Sequence, residues 1–160
     1  MLALKIPDTR DFMKKILTQD IFDTFLLSEA SVTTFTTWIV DGTWHPDYFS
    51  GDAPSALTWK MVRPLFFDII KGRNTPASFR IVLKLADYNV INLLNSSPVS
   101  LKSEEVAGLF LNISYSGEEL ILTTGTSLKT FTLDKSLDRI WDGMILKFLE
   151  SRAVMFTSLT

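Results

Sequence analysis

Five consecutive residues, Lys71-Gly72-Arg73-Asn74-Thr75, put two cations and flexible backbone amides in one turn, the raw material for holding a phosphate group. Arg80 and Lys84 follow on a segment that reads as a strand, four residues apart and therefore on one face. Together they extend the basic patch toward several phosphates or an acidic partner. The competing description is a hairpin or helix-end turn, in which Gly72 takes a positive φ and the cations complement a helix C-terminus.

A second group surrounds His45, the single histidine, in Trp44-His45-Pro46-Asp47. Trp38, Trp44, Tyr48, Phe49 and Trp59 cluster around it in sequence, where rings can floor a ligand pocket, anchor a partner or seal a loop onto a core. Asp41, Asp47 and Asp52 offer oxygens suited to a hard cation, but their spacing matches no cation loop, and turn-forming or solvated aspartates describe them better. One histidine and no cysteine cannot assemble an ordinary zinc set, so no metal and no cofactor is expected. No serine sits in a glycine-flanked elbow, which excludes serine hydrolase chemistry. The neighbours in Glu104-Glu105 and Glu118-Glu119 would point to opposite faces of a strand and read as solvated loop charge. Thr123-Thr124-Gly125-Thr126-Ser127 lacks the lysine and the strand-to-helix setting of a nucleotide loop, so turn chemistry accounts for it. No residue is assigned a catalytic role.

The elements that position these groups follow from apolar periodicity. Ala3 to Ile6 reads as a strand ended by Pro7. Asp8 is an N-cap for a helix to about Thr18, which places Phe12, Met13, Ile16 and Leu17 on one face. Thr24 to Val40 predicts two strands broken near Ala30-Ser31, then a turn at Asp41-Gly42. Thr43 to Leu57 is aperiodic and the longest irregular excursion, with a turn of helix around Pro46 to Phe49. Trp59 to Lys71 is read as a helix, with a strand as the alternative because Pro64 fits only a first helical turn or a strand edge.

Ser78 to Leu85 alternates as a strand, with Phe79, Ile81, Leu83 and Leu85 on one face and Arg80, Val82 and Lys84 on the other. Asp87 caps a short helix, and a serine-rich loop follows to about Glu104. Gly108 to Leu133 predicts a three-stranded meander with turns at Ser116-Gly117-Glu118 and Gly125-Thr126-Ser127. Asp134 caps a last helix carrying Leu137, Ile140, Trp141, Met144, Ile145, Phe148 and Leu149, and the tail packs as a final strand or frays. The order strand, helix, two strands occurs over residues 2–40 and again over 78–133, a pseudo-repeat that resembles the β-α-β-β unit of DNA sliding clamps in order only.

At 160 residues and 46% apolar composition the chain is expected to form one α+β domain over residues 1–160, mainly antiparallel sheet with amphipathic helices. No run approaches the roughly 20 apolar residues of a bilayer-crossing helix, and the N-terminus does not read as a signal peptide; a soluble, cytoplasmic protein is expected. Sixteen basic against 18 acidic side chains provide no long-range field toward nucleic acid.

Leu2-Ala3-Leu4-Lys5-Ile6, Asp23-Thr24-Phe25-Leu26-Leu27 with Glu29-Ala30, Asp41-Gly42, Ile70-Lys71-Gly72 with Thr75-Pro76, and Thr123 to Lys129 through Asp134 to Leu137 together resemble a family of short uncharacterised proteins, a domain of unknown function found chiefly in anaerobic Gram-positive bacteria. The resemblance spans nearly the whole chain and implies no catalytic residue or ligand. The leading expectation is a non-catalytic binding or assembly domain, homo-oligomeric, whose contacts come from Lys71, Gly72, Arg73, Arg80, Lys84, Trp44, His45, Tyr48 and Trp59. The alternatives are a small enzyme or phosphate-ligand receptor at the Lys71 to Lys84 patch, and a clamp-like nucleic-acid-associated protein.

Overall fold

Alternating side chains along a strand point to opposite sides, so a sheet with one apolar side needs a layer of helices to cover it. The computed structural model, which describes residues 1–160, has that arrangement. Its elements run β1 (Ala3–Ile6), α1 (Thr9–Thr18), β2 (Leu26–Thr33), β3 (Thr37–Val40), α2 (Trp59–Ile70), β4 (Ser78–Lys84), α3 (Asp87–Asn95), β5 (Val106–Tyr115), β6 (Leu120–Leu128), α4 (Ser136–Ser151) and β7 (Thr157–Ser158). Short 3₁₀ turns lie at Pro46–Tyr48 and Ser103–Glu105. The fold is α+β: the seven strands form one sheet in the order β3-β2-β4-β5-β6-β1-β7, every pairing antiparallel.

One side of this sheet supplies Leu4, Ile6, Val32, Phe79, Ile81, Leu83, Leu109, Leu111, Ile113, Leu120 and Leu122 to a cluster of 31 buried apolar residues. All four helices join the same cluster, through Phe12 and Ile16, Trp59 and Phe66, Val90 and Leu94, and Trp141 and Ile145. The other side carries Lys5, Arg80, Lys84, Phe110, Asn112, Ser114, Ile121 and Thr123, none of which belongs to it. An antiparallel sheet tolerates one uncovered face of this kind.

Local chemistry explains where the elements begin and end. Asp8 caps α1 as expected, its Oδ1 accepting from the Asp11 N–H at 3.0 Å. Asp87 and Asp134, which the sequence suggests as N-caps, each lie one place away from the N-cap positions of the structure. Ala86 and Lys135 occupy those positions, Asp87 is the first residue of α3, and Asp134 Oδ1 accepts from the N–H and hydroxyl of Ser136, the first residue of α4. α2 is a helix, and Pro64 stands in its second turn rather than its first. Pro64 and Lys60, whose carbonyl the proline ring leaves without a donor, both lie on the exposed side, where water can serve that carbonyl.

Two strand boundaries differ from expectation. β2 runs unbroken through Ala30-Ser31, because both residues pair with β3 on one side and β4 on the other, and Ala30 and Val32 are buried. Its turn lies at Thr34-Phe35-Thr36, closed by the Thr34 N–H on the Thr36 carbonyl at 2.9 Å. The meander has two strands and not three: β6 continues through Gly125-Thr126-Ser127, which pair in register with Phe110, Leu109 and Gly108 of β5. Hydrogen bonds from Thr124 to Asp142 and from Thr126 to Asp138 also tie this stretch to α4, and those threonine contacts favour continued strand over a turn.

The tail forms β7 on β1. The β-α-β-β order does recur, but its pairing does not: β4 neighbours β5, whereas β1 and β2 are separated by β4, β5 and β6.

Gly42 lies two residues beyond β3 with φ 79°, and a Cβ there would stand 1.7 Å from the Ser28 carbonyl oxygen at the irregularity of β2. Asp41 beside it accepts from the Thr43 N–H at 2.8 Å, and that bond holds its carboxyl below the ordinary 3.8. Gly42→Ala is expected to cost about 2 kcal/mol in a urea unfolding titration, from positive-φ strain and the displaced strand end. An unchanged midpoint would show that the turn relaxes freely.

Candidate functional site

The cation-rich turn follows directly from the end of α2. Lys71 is the C-cap residue, its N–H donating to the Phe67 carbonyl at 2.8 Å, and Gly72 takes φ 147°. Lys71 Nζ lies 3.0 Å from Asp68 Oδ1 and over the Phe67 ring. The helix end and the positive φ of Gly72 match the competing description, whereas the Lys71 ammonium goes to Asp68.

The turn also separates two clefts. On one side Lys71, Gly72 and Arg73 face Thr34 and Phe35 of the β2–β3 hairpin. On the other side Lys71, Asn74 and Thr75 face Thr9, Arg10 and Met13 of α1 across a cavity of about 450 Å³. Phe79 and Tyr115, opposite each other at the ends of β4 and β5, line this second cleft and stack with centroids 5.3 Å apart.

Arg80 and Lys84 do not extend the turn into one patch. Arg80 lies on the uncovered sheet face and pairs with Glu29 on β2 at 3.0 Å. Lys84 is four residues further along β4, about 13 Å at the rise of an extended strand. It lines a different cleft, of about 340 Å³, with Asp87, Glu104 and Lys129. Strand rise and the acidic neighbours of each cation therefore break the Lys71 to Lys84 patch into three places.

The aromatic group divides as well. Trp59 is fully buried, its ring against Phe66 and its Nε1 donating to the Ile16 carbonyl at 2.9 Å, so it is a core residue and meets no ligand. Trp44 and Tyr48 flank Phe49 in the excursion, and Trp44 Nε1 donates to the Pro54 carbonyl at 3.2 Å. His45 is exposed at the start of the Pro46–Tyr48 turn. Trp38 packs edge-on against Phe35 at the hairpin tip, and its Nε1 donates to Thr34 Oγ1. No group of three or more His, Cys, Asp or Glu side chains converges as a metal set.

Residues 15–157 match a family model described as a family of unknown function (DUF5721). The chain belongs to that family. No curated protein and no solved structure matches it. No helix of this DUF5721 chain is long and apolar enough to cross a membrane.

Several residues that shape the clefts or the packing of the DUF5721 chain carried no local signal. Arg10 and Tyr115 reach the cleft beside Lys71 from segments far from it in sequence, and only the pairing of β4 with β5 brings Tyr115 there. Asp23 and Arg63 form a two-pronged ion pair across 40 residues, with Nε to Oδ1 and Nη2 to Oδ2 both 2.8 Å. That pairing raises the Arg63 pKa above its ordinary value. Thr124, the one buried polar side chain, accepts from the Leu2 N–H and donates to Asp142, which fastens β1 to β6 and α4.

Proposed function

We propose that the chain acts as one domain whose task is binding and not catalysis, and that it assembles with a second copy of itself along the β3 edge. The observation that carries this reading is the composition of that edge. Thr37-Trp38-Ile39-Val40 is the outermost strand on its side of the sheet and has no charged residue and no proline. Natural edge strands are usually guarded by such residues, because their free N–H and C=O groups template another strand. Apolar surface surrounds this one: Phe35 is 91% exposed, Ile39 72% and Trp38 39%. The opposite edge, β7, is only two residues long.

Symmetry restricts how two copies can meet. An antiparallel pair about a two-fold axis keeps each sheet face on its own side. Trp38 shares a face with its neighbour Val32, and Ile39 shares the other with Ser31. Direct partners across the new interface must lie on one face. The axis must then pass at a residue, Trp38 and Ile39 being the central ones of β3, and never midway between two. The uncovered sheet face supports a protein partner over nucleic acid, since Arg80 and Lys5 there are balanced by Glu29 and Glu119.

Light scattering of the purified chain at high micromolar concentration is expected to give the mass of a dimer. Ile39→Lys, at an exposed position, should weaken association about tenfold or more by placing like charges across the axis, while Phe131→Lys, also exposed, should leave it unchanged. A monomer in the unsubstituted protein, or a dimer indifferent to Ile39→Lys, would overturn the reading.

A further inference from the structure

We infer that the cleft between α1 and the Lys71 turn is a binding site for a small organic anion with a flat apolar body, an aryl phosphate or aryl carboxylate. This site is separate from the β3 edge and stands or falls independently of it. Its volume, about 450 Å³, lies in the range of roughly 300–1,000 Å³ usual for small-molecule sites.

The lining is divided by exposure. Arg10, Lys71, Asn74 and Thr75 are exposed and form the rim, whereas Phe79 and Pro76 are buried and Met13, Ile70 and Tyr115 half-buried beneath them. Two cations and no carboxylate line the cleft. The acids nearest in sequence are already engaged: Asp8 caps α1, Asp11 pairs with Lys15 at 2.9 Å, and Asp68 pairs with Lys71. Arg10 has no such partner, so its planar guanidinium is available for the two-pronged grip that suits phosphate and carboxylate oxygens. Lys71 can add a second charge by exchanging its exposed partner Asp68 for the ligand.

The floor determines what hangs from that anion. Phe79 and Tyr115 present stacked rings, and the Tyr115 hydroxyl donates to the Gly117 carbonyl at 2.9 Å, which fixes the ring in place. A hydrated inorganic anion would use the rim alone and leave this apolar floor wet. A flat ring carrying the anion covers it, gaining aromatic contact and removing apolar surface from water.

The test is a calorimetric titration of the full chain with phenyl phosphate, benzoate, inorganic phosphate and phenol. One or both aryl anions are expected to bind at least about tenfold more tightly than inorganic phosphate or phenol, and the tighter of the two identifies the head group. Arg10→Glu should weaken that binding about tenfold or more, while Arg73→Glu, which faces only the neighbouring cleft, should leave it unchanged. Circular dichroism and the thermal midpoint establish that both variants are folded. Absence of binding by either aryl anion, equal binding of inorganic phosphate, or indifference to Arg10→Glu would overturn the assignment.

Discussion

Trp59→Ala is expected to lower the unfolding free energy by about 3–5 kcal/mol, the loss typical of a large aromatic side chain deleted from a packed core. Three observations place it at the high end of single substitutions. The side chain is fully buried, its ring packs edge-on against Phe66 at 5.6 Å, and its Nε1 donates to the Ile16 carbonyl. Ile16 lies in the last turn of α1, where helix geometry leaves carbonyls without an intrahelical donor. The indole thus closes the end of one helix from the beginning of another. Trp59→Phe separates the two contributions, because it keeps most of the ring and removes the donor; about 1–2 kcal/mol of loss is expected from the hydrogen bond alone. Urea unfolding followed by circular dichroism measures both. If Trp59→Ala were nearly neutral, the ring would have to lie outside the core, as its sequence assignment to the binding contacts implied.

That suggestion shows how far local pattern reaches in this chain. Where burial is decided by period, residues announce themselves: Phe12, Ile16 and Leu17 on α1 and Phe79, Ile81 and Leu83 on β4 are legible because one face of an element goes to one side. Asp8 and Gly42 are legible for a different reason, since a cap and a positive-φ turn are satisfied by neighbours within a few residues. Trp59 is not legible in that way. Trp44 and Trp59 bracket the same excursion in sequence, yet only the second starts a helix that packs on α1. The strand through Gly125 failed for the complementary reason: Gly-Thr-Ser has turn chemistry locally, and the partner that holds it straight, β5, lies more than ten residues upstream.

The cleft beside Lys71 shows both limits at once. Its cationic turn could be read from five consecutive letters, but the anion grip proposed for it depends on Arg10, and its floor on the register of Phe79 against Tyr115. Neither is encoded by spacing within one element. Arg80 and Lys84 went the other way. Their shared face was read correctly, but Arg80 is matched by Glu29 on β2, a residue no pattern within β4 could reveal.

The second large effect is expected at Arg63, one turn beyond Trp59 on α2. Arg63→Ala should cost about 3 kcal/mol, because it removes both prongs of the pair and leaves the Asp23 carboxylate, with its side chain only 13% exposed, without a counter-charge. The loss exceeds that of a surface ion pair, since Arg63 is itself only 17% exposed and both bonds are 2.8 Å. A further bond from Nη1 to the Leu17 carbonyl, at 3.4 Å, brings a cation to the C-terminal end of α1, where the helix dipole favours it. Trp59 and Arg63 therefore serve adjacent carbonyls of one helix end from one face of another. Residues that share a partner in this way couple, so Trp59→Phe and Arg63→Ala should not add: once the indole donor is lost, α1 frays and the arginine has less to hold. Asp23→Asn in the Arg63→Ala background should recover part of the loss, because it removes the uncompensated charge without restoring the bond. A double-mutant cycle by urea unfolding measures this. Strict additivity, or an Arg63→Ala cost no larger than that of an exposed pair, would mean that the end of α1 is held by packing alone.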